Sequence, residues 1–224
     1  DAKGKIVSPG FIDLHTHLRE PGQTAKETIE TGTKAAAKGG FTSVVCMPNT
    51  DPVIDNQALV SFVLDKAKKN GVVNTYVAAN ITKGGNGEEI SNFGSLKEAG
   101  CLALSDDGNP IMNPDVMRRA MQYASQFDIP FLTHCEDKNL TIEGVMNEGF
   151  NSTILGVRGI PKVAEEIMIA RNSLLSIATG ARLHIQHVST KGGVELIRFF
   201  KKKNIKLTAE TCPHYFSLTD EVLR

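Results

Sequence analysis

Seven short apolar runs, separated by amphipathic stretches, set the tightest limit on how this chain folds. The runs span residues 11–17, 42–47, 73–79, 101–104, 131–134, 182–188 and 206–210, and most are rich in Val, Ile, Leu or Thr. Short runs of that composition predict strands covered on both faces. Helical patterns fill the intervals at residues 24–38, 56–69, 95–99, 114–126, 161–179 and 191–203. Pro114 and Pro161 suit first helical turns, where the missing N–H has no helical partner to lose. Gly39-Gly40, Gly71, Gly100 and Gly180 fall just after helices, where a left-handed cap needs no Cβ.

Strand–helix alternation at this spacing predicts parallel strands joined by right-handed crossovers. The candidates are a (β/α)8 TIM-type barrel and an open doubly wound sheet. No Gly-x-Gly-x-x-Gly follows the first strand, so a dinucleotide fold has no support. Polar, titratable residues instead gather at the C-terminal ends of strands 1, 2, 4, 5 and 6, the distribution a barrel produces. With seven strands counted, the expectation is an incomplete α/β barrel lacking its eighth strand, built as a single domain over residues 1–224. A chain of 224 residues is long enough for one closed core. Its 25 basic and 25 acidic side chains cancel, which gives no field favouring nucleic acid or an anionic membrane. No apolar run approaches the roughly 20 residues that span a bilayer, and residues 1–5 carry no apolar signal core, so export is not expected. Cys46, Cys101, Cys135 and Cys212 form no Cys-x-x-Cys pair, which fits a reducing cytoplasm better than a disulfide or zinc-knuckle framework.

The first strand ends in Asp13-Leu14-His15-Thr16-His17-Leu18-Arg19. Two histidines spaced by two on a strand share a face, with Cα atoms roughly 6.6 Å apart. That spacing lets both imidazoles converge on one cation. Arg19 continues the same parity if the strand persists. Further donors stand where later strands reach the same rim: Asp106 and Asp107 after strand 4, His134 after strand 5 and His187 after strand 6. Two divalent ions a few ångström apart need an anion between them, and either Asp107 or Asp106 can supply it. His184 and His187 differ by three, so a regular strand turns only one of them inward; His187 is nearer the rim, and His184 is assigned to packing or support. His214 falls on a loop beyond strand 7, free to orient a ligand, touch substrate or form a surface turn.

The run from Gly10 to Gly22, GFIDLHTHLREPG, resembles the first-strand signature of dihydroorotases in the amidohydrolase superfamily. Met47-Pro48-Asn49-Thr50, Ser105-Asp106-Asp107-Gly108, His134-Cys135-Glu136-Asp137, His187-Val188-Ser189-Thr190 and Glu210-Thr211-Cys212-Pro213-His214 match later motifs in order. The resemblance is to the longer bacterial type. It implies a binuclear Zn2+ site in which His15 and His17 hold one ion, His134 and His187 the other, and Asp107 bridges them. It also implies that Arg19 and Asn49 grip a substrate carboxylate. The implied reaction is reversible hydrolysis of dihydroorotate to N-carbamoyl-L-aspartate in pyrimidine biosynthesis.

Relatives that bridge their metals with a carboxylated lysine offer one at the end of strand 4. Residues 101–110 contain no lysine, which lowers the allantoinase and hydantoinase alternatives. The family's proton-shuttling Asp follows strand 8 and lies beyond Arg224, so no catalytic residue is assigned within this sequence. Residues 1–7 leave no room for the N-terminal half of the family's small β-sandwich, and the chain is expected to be truncated at both ends relative to that family. Expected partners are the small-molecule substrate, with a homo-oligomer or an aspartate transcarbamoylase complex as further candidates. A non-catalytic homologue serving only as such a partner has no need of five ligand-type residues.

Overall fold

Each apolar run forms a strand. The computed structural model describes residues 1–203 and 205–223. Along the chain lie β1 (Phe11–Thr16), α1 (Ile29–Lys38), β2 (Phe41–Cys46), α2 (Gln57–Asn70), β3 (Asn74–Ala79), α3 (Phe93–Glu98), β4 (Ala103–Leu104), α4 (Pro114–Ala124) and β5 (Phe131–Thr133). Then follow α5 (Lys138–Thr141), β6 (Met146–Asn147), α6 (Phe150–Leu155), β7 (Gly159–Ile160), α7 (Val163–Thr179), β8 (Leu183–Ile185), α8 (Lys191–Lys201), β9 (Leu207–Ala209) and α9 (Pro213–Ser217). Seven strands join one sheet in the order β1-β2-β3-β4-β5-β8-β9, and every neighbouring pair is parallel. Between β5 and α7 the chain makes an excursion, in which β6 and β7 pair with each other and not with the main sheet. Elements this short carry too little periodicity to be read from sequence.

The central strands are apolar because both faces are covered, whereas β1 leaves Phe11, Ile12 and Leu14 exposed. Val44, Cys46, Val77, Ala79, Leu104, Phe131, Leu183 and Ile185 face a core shared with Val60 and Val63 of α2 and Met168 and Ile169 of α7. Residues of opposite parity, Val45, Ala78, Ala103 and Leu132, gather with Met47 in a second cluster on the other face. That second cluster fills the inside of a curled sheet, as barrel interiors are filled. The curl is deep enough to bring the two ends of the strand order together: His15 on β1 lies 3.0 Å from Glu210, just after β9. The architecture is therefore an incomplete TIM-type barrel with seven strands among the described residues.

Local chemistry explains the helix boundaries. Asn56, Asn92 and Asn113 cap α2, α3 and α4 with their side chains, and Pro114 takes the first turn of α4. The expected helix at 24–38 starts only at Ile29, because Thr28 caps it and buried Glu20 accepts a bond from the Ile29 N–H. Pro161 lies just before α7 and not within its first turn. Gly180 is a left-handed cap (φ 72°) that returns its N–H to Ser176. Gly71 is not left-handed (φ −75°); what excludes a side chain there is space, since a Cβ falls 2.6 Å from the Ala67 carbonyl oxygen. Among the described residues no helix is long and apolar enough to cross a membrane.

Candidate metal centre

The site forms where the strands run out. The expected strand at 101–104 pairs only at Ala103–Leu104, and that at 182–188 only at Leu183–Ile185. Beyond those points the chain leaves the sheet and turns polar side chains over the C-terminal rim. His15 and His17 come from the end of β1, Asn49 follows β2, Asp107 follows β4, His134 follows β5, and His187 follows β8.

Asp107 is the centre of this group and is buried. Its Oδ1 lies 3.4 Å from His15 Nε2, 3.7 Å from His134 Nδ1 and 3.8 Å from His187 Nε2. Its Oδ2 lies 3.5 Å from His17 Nε2 and accepts a bond from Asn49 Nδ2 at 3.3 Å. His134 Nδ1 and His187 Nε2 are 2.8 Å apart. Donor atoms of His15, Asp107 and His187 all fall within 4.8 Å of one another, close enough to share one ion.

The outer ring nitrogens decide what the inner ones can do. His15 Nδ1 meets Glu210 Oε1 at 3.0 Å, His17 Nδ1 meets Asn49 Oδ1 at 3.0 Å, and His134 Nε2 meets Glu136 Oε2 at 2.8 Å. A neutral imidazole that donates its outer N–H presents a bare lone pair on its inner nitrogen. Three such lone pairs aimed at the anionic oxygens of Asp107 repel them unless a positive charge lies between. Protons or a cation can supply that charge, and the donor set, four imidazoles and a carboxylate, suits a borderline divalent metal. The electrostatics point the same way. Burial opposes charge on His15, yet its bonds with Asp107 and Glu210 raise it to about 9. Burial likewise opposes charge on His134, and Asp107 and Glu136 outweigh it to raise that group too. Burial also works against ionised Asp107, but the surrounding histidines hold its carboxyl far below the usual range.

A family model described as dihydro-orotase-like matches residues 4–193 of this chain. The chain belongs to the dihydroorotase-like family. A dihydroorotase from Endomicrobium trichonymphae is 59% identical over 224 residues, which is all of this chain and 53% of that protein. One from Ruminiclostridium cellulolyticum is 57% identical over 220 residues, 98% of this chain and 51% of that protein. The chain thus spans about half the length of the curated relatives it matches. Among solved structures, an L-hydantoinase (dihydropyrimidinase) from Arthrobacter aurescens superposes with a TM-score of 0.81 at 22% identity, covering 99% of this chain and 51% of that one. At that identity the likeness speaks for the shared fold alone.

Two expectations change in the structure: the parity of Arg19, and the rule that only one of His184 and His187 turns inward. Arg19 does not continue the strand parity of the histidines, because β1 ends at Thr16 and Arg19 turns with φ 59°. It still lies on the His17 side: burial depresses His17 below its ordinary value against the pull of Asp107, and the Arg19 charge adds to the depression. His184 does look into the barrel, in register with Leu132, with its Nδ1 bonded to Thr208 and its Nε2 3.3 Å from Glu210 without a hydrogen bond. His187 nevertheless faces the site as well, since its φ of 36° breaks the strand parity that was to exclude one of the two. Asp106, an open alternative for the bridge, points elsewhere and takes bonds from the Ile81 and Thr82 N–H groups and the Thr82 hydroxyl. His214 is exposed on α9, with its ring edge-on to Tyr215.

Glu210, Glu136 and Gln186 were not singled out in the sequence. Glu210 ties His15 to His184 and is held down to about 2, its own burial being overcome by those two histidines. Glu136 supports His134 while it takes further bonds from Lys138 and Thr141. Gln186 reaches His15 Nδ1 at 3.1 Å and the Ser105 hydroxyl at 3.3 Å. A cleft of about 570 Å3 opens beside the cluster, against His15, His17, His187 and Glu210. A larger cavity of about 660 Å3 lies against Thr42, Lys68 and Asn74, at the N-terminal ends of β2 and β3 and so at the wrong end for this chemistry.

Proposed function

We propose that residues 1–224 form the metal-dependent barrel domain of a zinc-dependent dihydroorotase, which reversibly hydrolyses dihydroorotate to N-carbamoyl-L-aspartate in pyrimidine biosynthesis. The observation that carries this reading is the convergence of His15, His17, His134 and His187 on Asp107, with the outer nitrogens of the first three already committed. His15 and His17 would hold one Zn2+, His134 and His187 a second, and Asp107 would bridge them. When bound, the metal pair supplies Lewis-acid polarisation of the ring carbonyl and brings water's acidity close to neutral pH.

The chain's own residues orient the substrate. Asn49 gives one amide N–H to Asp107 and keeps a second for a substrate carboxylate. Arg19, beside His17, offers a planar fork for the same carboxylate. Glu210 and Glu136 fix the tautomers of His15 and His134. Asp107 stands at the strand 4 rim, where lysine-bridged relatives carry their lysine, and this supports a dihydroorotase over a hydantoinase. The four free cysteines, three of them buried, support a reducing compartment such as the cytoplasm. The test is a direct comparison of dihydroorotate, hydantoin and allantoin as substrates for the zinc-loaded full-length protein. Ring opening of dihydroorotate is expected to dominate; turnover of hydantoin without dihydroorotate contradicts the proposal.

A further inference from the structure

His187 sits two residues past β8 with φ 36°, a backbone region that a residue with a Cβ seldom adopts. Something must hold it there, and the following residues show what does. Glu165, in the first turn of α7, accepts four hydrogen bonds from the segment behind His187. Its Oε1 takes the Ser189 N–H at 2.8 Å and the Ser189 hydroxyl at 2.9 Å. Its Oε2 takes the Thr190 N–H at 2.9 Å and the Thr190 hydroxyl at 2.6 Å. Thr190 is also the N-cap of α8, where its hydroxyl oxygen accepts from the Gly193 N–H at 3.0 Å. A carboxylate is well placed at that end of the α8 dipole. The seat is so close that a Cβ on Gly193 would fall 2.9 Å from Glu165 Oε2 and 2.8 Å from Thr190 Oγ1.

The same turn of α7 also grips the loop that carries His134. The Ala164 carbonyl accepts the Asp137 N–H at 2.9 Å, three residues beyond His134. One helical turn therefore holds both loops, and the two imidazoles they carry meet at 2.8 Å. We propose that Glu165 is a positioning residue: by clamping Ser189 and Thr190 it holds His187 in register with His134, and so builds the second metal position. This rests on the metal reading given under the proposed function. Glu165 touches neither metal nor substrate in this account and acts only through His187.

The test titrates the metal-stripped protein with Zn2+ alone against a chromophoric chelator, and repeats the titration with Co2+ to read the visible ligand-field spectrum. Glu165→Ala is expected to leave the first equivalent within about twofold of wild type and to weaken the second by about 10- to 100-fold, the usual range for loss of a ligand's support. The Co2+ spectrum should change only in the second equivalent. Glu165→Gln keeps an acceptor oxygen and the shape, and should restore part of the loss. It also serves as the reporter if the alanine variant does not fold. Val63→Ala, which opens a cavity at a buried position of α2, outside this turn and its two loops, controls for a general loss of stability and should leave both equivalents unchanged. Unaltered second-site affinity and spectrum in both Glu165 variants would overturn the inference and reduce Glu165 to a helix cap. An equal loss in Val63→Ala overturns it as well. A wild-type protein that takes up fewer than two Zn2+ contradicts the metal reading itself, and the role of Glu165 falls with it.

Discussion

Adjacent aspartates with separate work make a sharp test. Asp106 and Asp107 are both buried, yet Asp107 faces the histidines while Asp106 ties the end of β4 to the end of β3. Asp106 accepts from the Ile81 N–H at 2.7 Å, the Thr82 N–H at 3.2 Å and the Thr82 hydroxyl at 2.6 Å. Asp106→Ala orphans two backbone N–H groups in the interior, at about 1–3 kcal/mol each, hence about 2–6 kcal/mol in all. For a chain of this size that lowers Tm by at least about 4 °C near pH 4, where the wild-type Asp106 is also neutral in the fold, and by less at pH 7.5, where the alanine also removes the buried charge. Asp106→Asn keeps the acceptor for both N–H groups, and its effect has the opposite sign. Burial pushes the Asp106 carboxyl up to about 6 from its ordinary 3.8, despite the bonds from Thr82 and Ile81. A raised acid contributes stability that is full below pH 3.8 and is lost as pH rises through 6, worth up to about 3 kcal/mol. At pH 7.5 the neutral amide should therefore equal or exceed wild type in Tm, and the stability change that wild type shows between pH 4 and 6 should shrink. Zinc content should be normal in both Asp106 variants and reduced in Asp107→Ala. Calorimetry and elemental analysis read the two quantities separately. Loss of zinc from Asp106→Ala with no loss of Tm would refute the division of labour.

Three other outcomes follow from the geometry. Arg19→Lys exchanges a planar fork for a point charge at the carboxylate, a loss of about 1.5–3 kcal/mol, so kcat/KM for dihydroorotate should fall roughly ten- to over a hundredfold; an unchanged value removes Arg19 from the site. Glu210→Ala frees both His15 and His184, and zinc affinity should drop about 10- to 100-fold, as chelator competition will show. His15, raised to about 9 in the metal-free protein, is protonated at pH 7.5, so zinc uptake must displace its proton. Calorimetric titration in buffers of different ionisation enthalpy should detect that release, and its absence would mean that His15 is not a ligand.

Most of the strand pattern was legible because the central barrel strands are buried on both faces and read as plain apolar runs. Val44-Val45-Cys46 and Val77-Ala78-Ala79 are buried at every position, so no parity had to be guessed. The ligand-type residues were legible because His-x-His and Asp-Asp-Gly fall at strand ends. What failed was reasoning that carried strand parity past the strand. Arg19 and His187 both sit at positive φ just beyond the last paired residue, where alternation no longer holds. The supporting carboxylates were hidden for a different reason. Glu210 and Glu136 earn their meaning only from partners 195 and 2 residues away, and Glu165 from a loop 24 residues on. Glu136 and Glu210 are marked only by their places in the motifs at 134–137 and 210–214, and nothing local marks Glu165. The β6–β7 excursion was missed because two-residue strands leave no period to detect.

The central claim is that Asp107 bridges two metals held by two histidine pairs. Anomalous scattering at the zinc edge, from crystals of the zinc-loaded protein, measures this directly. The account predicts two peaks, one about 2.0–2.1 Å from nitrogens of His15 and His17 and one at the same distance from His134 and His187, with an Asp107 oxygen about 2.0–2.2 Å from each. A single peak that leaves Asp107 uncoordinated, or a carboxylated lysine between two peaks, would contradict it.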